Sequence, residues 1–171
     1  MKTIKHNQNF FIFCVPVSLL LYLLDSTGIV TLKIGTAHPV LLIPFLVAVS
    51  MAAREWVGLC FGAWLGVLLD ITGAECYFFN FLVLLILGCA CGLMSSYLVN
   101  DNIYSAMVLS FGLSIFYFVA KWLVFFVIGG KSEAFNYLIS YSLPSAAYTA
   151  LFIIPFYYLI KFVSKRTCYF D

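Results

Sequence analysis

Residues 56–72 read WVGLCFGAWLGVLLDIT. The stretch is apolar except near its end, and Gly58, Gly62, Gly66 and Asp70 recur at every fourth position. A spacing of four stacks side chains on nearly one face of an α-helix. Three glycines there leave a stripe with no side chains, along which another helix can approach backbone to backbone, as in GxxxG packing. The stripe has two readings: close packing within a bundle formed by this chain, or a groove that receives a partner protein's helix. Asp70 continues the same face towards the helix end. A carboxylate against lipid is costly, so Asp70 is expected to face protein or water, or to reach the headgroups.

The rest of the chain is of the same kind. It has 171 residues, 64% of them hydrophobic and only 9% charged, and a mean hydropathy of +1.08. A soluble domain carries roughly 25% charged residues. There is too little polar material here to coat a water-facing surface, so the bilayer is the solvent for most of the chain. At about 20 residues per span, the length limits the count to roughly six or seven helices. The reading is an all-α integral membrane protein, a single transmembrane domain over residues 1–171 with six spans. These run at about 10–24, 39–53, 56–72, 77–99, 103–128 and 137–163. Arg54-Glu55 is a short charged turn between the second and third, and Asn100-Asp101-Asn102 a polar turn between the fourth and fifth. Pro44 is expected to kink the second helix unless that helix starts later. The first run follows Lys2 and Lys5 but lacks a small-residue cleavage site, so it is read as an uncleaved helix.

Basic residues set the orientation. With the N-terminus inside, the inner segments hold Lys2, Lys5, Arg54, Lys161, Lys165 and Arg166, and the outer loops only Lys33 and Lys131. That bias places both termini in the cytoplasm. Lys121 is the other charge inside an apolar run, seven residues before Ile128, roughly 10 Å of helix rise. It either snorkels to the surface or forms an intramembrane ion pair with Asp70, which falls in the same outer half. Trp56, Tyr77, Tyr97, Tyr104, Tyr137 and Tyr169 form an interfacial belt.

Chemistry-bearing motifs are few. The six cysteines form no CxxC pair and lie far from His6 and His38, so no metal is expected. There is no H-E-x-x-H, P-loop or nucleophile elbow. The sequence predicts no enzyme, no cofactor and no nucleic-acid partner. Lipid is its surroundings.

From residue 39 to about 166 the chain resembles the MreD family of rod-shape-determining proteins. The resemblance rests on Pro39 opening an apolar helix, Arg54 in the turn, GLCFGAWLGVLLD at 58–70, and Asn80 after the loop. It continues with the Asn100-Asp101-Asn102-Ile103 turn, Phe135-Asn136-Tyr137-Leu138, Leu143-Pro144 through Tyr148-Thr149, and the basic end from Lys161 to Arg166. Two positions depart from the family's pattern. Phe78 stands where glycine is frequent two residues before that Asn, which predicts a differently shaped loop. Ser145 stands where Glu often follows the Leu-Pro, so no role of that Glu carries over. The resemblance implies a noncatalytic scaffold of the bacterial cell-elongation and peptidoglycan-synthesis machinery in the inner membrane. It would bind an MreC-type protein and, through it, the MreB filament and the RodA and penicillin-binding synthases. The family is similar in fold to the substrate-binding subunits of energy-coupling-factor vitamin transporters, which supplies the alternative function. Helix 1 has only Cys14 and Ser18 small and four apart, and lacks the fuller stripe such subunits use to couple.

Overall fold

The computed structural model describes residues 2–27, 40–72, 78–97, 102–124 and 143–168. Six helices make up this part: α1 (Lys2–Thr27), α2 (Leu42–Thr72), α3 (Phe79–Tyr97), α4 (Ile103–Trp122), α5 (Leu143–Leu151) and α6 (Ile153–Cys168). No strand occurs among the described residues.

At the centre lies the first half of α2. Every side chain from Leu41 to Met51 is buried, and α2 touches each of the other five helices. A helix that is apolar on all sides has no face for solvent, so its neighbours must surround it. Phe45 packs edge-on against Phe156 of α6, with centroids 5.9 Å apart. Pro44 produces no kink, because it falls in the first turn of α2, where a backbone N–H would have no helical partner in any case.

The second and third expected helices follow one another without a non-helical residue between them, as the single span α2. Its axis doubles back at Arg54-Glu55, the charged pair expected to form the turn. In a straight helix residues 50 and 58 lie about 12 Å apart along the axis. Here a β-carbon on Gly58 would come within 2.8 Å of Ser50 Oγ. The two halves therefore lie side by side, and the reversal falls midway, at Arg54. Helix α3 runs against both halves. Cys91 Sγ reaches Val47 O at 3.8 Å, and one turn on, Ser95 Oγ donates to Met51 O at 3.4 Å. The first half of α2 thus runs parallel to α3 and the second half antiparallel.

Other boundaries differ from the apolar runs for identifiable reasons. Helix α1 extends beyond 10–24 into the polar residues at both ends, because helix propagation needs backbone hydrogen bonds rather than apolar side chains. The last expected helix, 137–163, is divided at Phe152 into α5 and α6. Pro155 has no N–H to offer Leu151 O, and the chain tightens so that Phe152 N donates to Thr149 O at 3.2 Å. Residues 125–128 and 137–142 lie outside the described part. Thr149 also joins α5 to the start of α2: its Oγ1 accepts from Val40 N at 3.3 Å and donates to Ser145 O at 2.7 Å.

The outward surface is apolar as well. Ile12, Leu20 and Leu23 of α1, Ile71 of α2, Val108 of α4 and Phe162 of α6 are all more than half exposed. On α1 the small residues Cys14 and Ser18 and, one turn on, Leu21 turn inward. Ile103–Trp122 and Pro144–Ser164 are each long and apolar enough to cross a membrane, and shorter apolar helical segments occur at 12–26, 42–53, 56–71 and 79–95.

Candidate functional site: the carboxylate clamp on α3

The glycine stripe of α2 meets α3. A β-carbon on Gly58 would lie 2.6 Å from Gly88 O, and one on Gly66 would lie 2.5 Å from Phe81 Cα. One on Gly62 would collide with Leu84 O, and one on Gly88 would collide with Gly58 O. The antiparallel backbones are in direct contact over about two turns, and Gly58 and Gly88 each make room for the other. Helix α3 of the same chain occupies the stripe.

This close crossing brings Asp70 to the first turn of α3. Its Oδ1 accepts the N–H of Asn80 at 3.1 Å and its Oδ2 the N–H of Phe81 at 2.9 Å. The first N–H groups of a helix have no partner within it, and the helix dipole makes that end positive. A Ser, Thr, Asp or Asn at the preceding position commonly fills this need. Here that position is Phe78, which has no acceptor, and Asp70 supplies two oxygens and the negative charge from another helix. These described contacts of Asp70 are backbone amides; none is to Lys121. Lys121 is half-buried in the last turn of α4, where a cation faces the negative end of that helix's dipole.

Phe78 has φ 67°. Glycine adopts this left-handed conformation without steric cost, whereas a side chain pays about 1–2 kcal/mol. Phe78 thus takes a backbone conformation open to glycine, at the position where the family often has glycine. The Phe ring stands largely exposed, edge-on to Phe81 at 6.3 Å. Residues 73–77, the remainder of that loop, lie outside the described part.

A third helix joins through Asn80. Tyr117 Oη of α4 donates to Asn80 Oδ1 at 2.8 Å, and Tyr117 is only 3% exposed. Asp70, Asn80 and Tyr117 thus tie α2, α3 and α4 together at one end of the bundle. Nothing in the sequence marked Tyr117 apart from the other aromatics. The available signal was its place in the middle of an apolar helix, since a buried Tyr hydroxyl usually finds a partner. A similar tie holds α1: Trp64 Nε1 donates to Ser18 Oγ at 3.2 Å, and Ser18 Oγ donates to Val15 O at 2.7 Å. Ser145, in place of the family's Glu, is fully buried. Among the described residues no three His, Cys, Asp or Glu are grouped to hold a metal ion. What this arrangement does chemically is fix helix ends and crossings.

A helical bundle apolar both within and on its outer surface, with Asp70, Tyr117 and Trp64 joining helix to helix, defines a membrane protein. The chain belongs to the MreD family: the model of the rod shape-determining protein MreD matches residues 6–166, nearly its whole length. No curated protein and no solved structure matches it.

Proposed function

We propose that the chain is a noncatalytic scaffold of the machinery that elongates the rod-shaped cell wall during peptidoglycan synthesis. It crosses the bacterial inner membrane six times with both termini in the cytoplasm. It docks an MreC-type protein and, through it, the MreB filament and the RodA and penicillin-binding synthases. The observation that carries this reading is the family match over residues 6–166. The polar groups at the clamp agree with a scaffold, since Asp70, Asn80 and Tyr117 are engaged in joining helices. A solute site needs several polar groups converging on one cavity. The excess of basic residues in the segments assigned to the inside supports the orientation.

Depletion in a rod-shaped host tests the proposal. Cells should become round and wide while vitamin uptake stays normal, and co-purification from membranes should recover the MreC-type partner. Cells that keep their shape but lose uptake of one vitamin would establish the energy-coupling-factor alternative instead.

A further inference from the structure

A mostly apolar concavity lies at the other end of the bundle from the Asp70 clamp. Asp70 sits at the N-terminus of α3, whereas Met51 meets Ser95 near its C-terminus. Beside Met51, between the first half of α2 and α6, is a cavity of about 220 Å³. A water molecule's share of the liquid is about 30 Å³, so the space admits a larger group. Its inner wall is Ala48, Met51, Ile160 and the ring of Tyr157, all buried. Its mouth carries Ala52, Lys161 and Ser164, which are exposed or half-buried.

Three features define what fits there. The cavity lies at the limit of the apolar segments: Ala52 is two residues before Arg54, and the apolar stretch of the last helices ends at Ser164, just before Lys165 and Arg166. That is the level of lipid headgroups. The Lys161 ammonium is held over the cavity wall, donating to Tyr157 Oη at 3.1 Å and standing 5.0 Å from the Tyr157 ring centroid. The chain segments next to the cavity lining, 53–55 and 161–166, carry Arg54, Lys161, Lys165 and Arg166 against the single acid Glu55. An apolar wall with a cation and a hydroxyl at its mouth is complementary to a phosphodiester with a hydrocarbon root.

We propose that this cavity holds the headgroup phosphate of an anionic phospholipid. Lys161 supplies the counter-charge and Ser164 a hydroxyl donor, and the glycerol and upper acyl carbons lie against Ala48, Met51 and Ile160. The inference rests on the membrane placement of the chain and not on its part in cell shape.

The test is native mass spectrometry of the full-length protein in detergent, with equal amounts of phosphatidylglycerol and phosphatidylcholine. Preferential retention of phosphatidylglycerol is expected. Lys161→Met should weaken that retention about fivefold, the effect of one cation near an anionic surface. Lys161→Arg should preserve it, and Lys165→Met should change it less than Lys161→Met. Ala52→Phe fills the mouth without altering charge and should also reduce it. Equal retention of the two lipids, or unchanged retention in both Lys161→Met and Ala52→Phe, overturns the proposal. Displacement of phosphatidylglycerol by millimolar inorganic phosphate would assign the site to a soluble phosphate and overturn the lipid assignment.

Discussion

Asp70 and Phe81 stand eleven residues apart, and the carboxylate of the first accepts the backbone N–H of the second at 2.9 Å, with Asn80 N–H taken by its other oxygen. The end of one helix thereby caps the beginning of the next. Asp70→Ala leaves two partly buried donors unpaired and should cost about 1–3 kcal/mol in a detergent melt. Asp70→Asn keeps one acceptor oxygen and should lose less. On the proposed scaffold function it should also restore rod shape in depleted cells; failure to do so despite a normal melt would give the carboxylate a role beyond capping α3.

Combining Asp70→Asn with Lys121→Met tests the ion-pair reading. A buried pair gives a double mutant milder than the sum of the two single changes. Because Asp70 is engaged by backbone amides, additivity within about 0.5 kcal/mol is expected. Strong coupling would restore the pair.

Tyr117→Phe removes only a hydroxyl and leaves Asn80 Oδ1 without the donor that α4 provides. A loss of about 1–3 kcal/mol is expected. Adding Asn80→Ala should cost less in the Tyr117→Phe background than in the parent. Equal costs in the two backgrounds would show that the bond contributes nothing.

The glycines separate into two kinds. A β-carbon on Gly62 collides with Leu84 O, whereas one on Gly112 meets nothing within 4 Å. Gly62→Ala should destabilise by about 1–3 kcal/mol, and Gly62→Leu should abolish detergent-resistant folding and partner retention. Gly112→Ala should be neutral or stabilise by up to about 1 kcal/mol. Val67→Leu, at an exposed position beside the stripe, is the control. Indistinguishable melts for Gly62→Leu and Val67→Leu would mean the stripe is not a packing surface.

Phe78 holds a left-handed backbone at a cost of about 1–2 kcal/mol, partly offset by its contact with Phe81. Phe78→Gly should raise the melting point, by roughly 0.5–1 kcal/mol of stability after the entropy cost of glycine. Phe78→Ala keeps the β-carbon and should give no gain. Equal behaviour of the two variants would show that strain at φ is not what matters there.

The orientation is open to labelling in intact cells. In a cysteine-free background, a single cysteine at position 2 should be protected from an impermeant reagent and one at position 132 should react. The reverse pattern would place the termini outside.

Composition and periodicity alone determined that this chain is a helical membrane protein. They placed Gly58, Gly62, Gly66 and Asp70 on one face and put the reversal at Arg54-Glu55, because apolar runs, small residues and charges leave direct marks at known intervals. They could not say what that face meets. A glycine stripe admits any backbone, and only the doubling back of α2 beside α3 decided that Gly88 of the same chain lies against Gly58. The partner of Asp70 was equally hidden. Every residue but proline carries the same N–H, so no letter in the sequence marks which two amides a carboxylate will cap. Phe78 illustrates the limit: its side chain argues against a left-handed backbone, yet it holds one immediately before the turn whose Asn80 and Phe81 N–H groups meet Asp70.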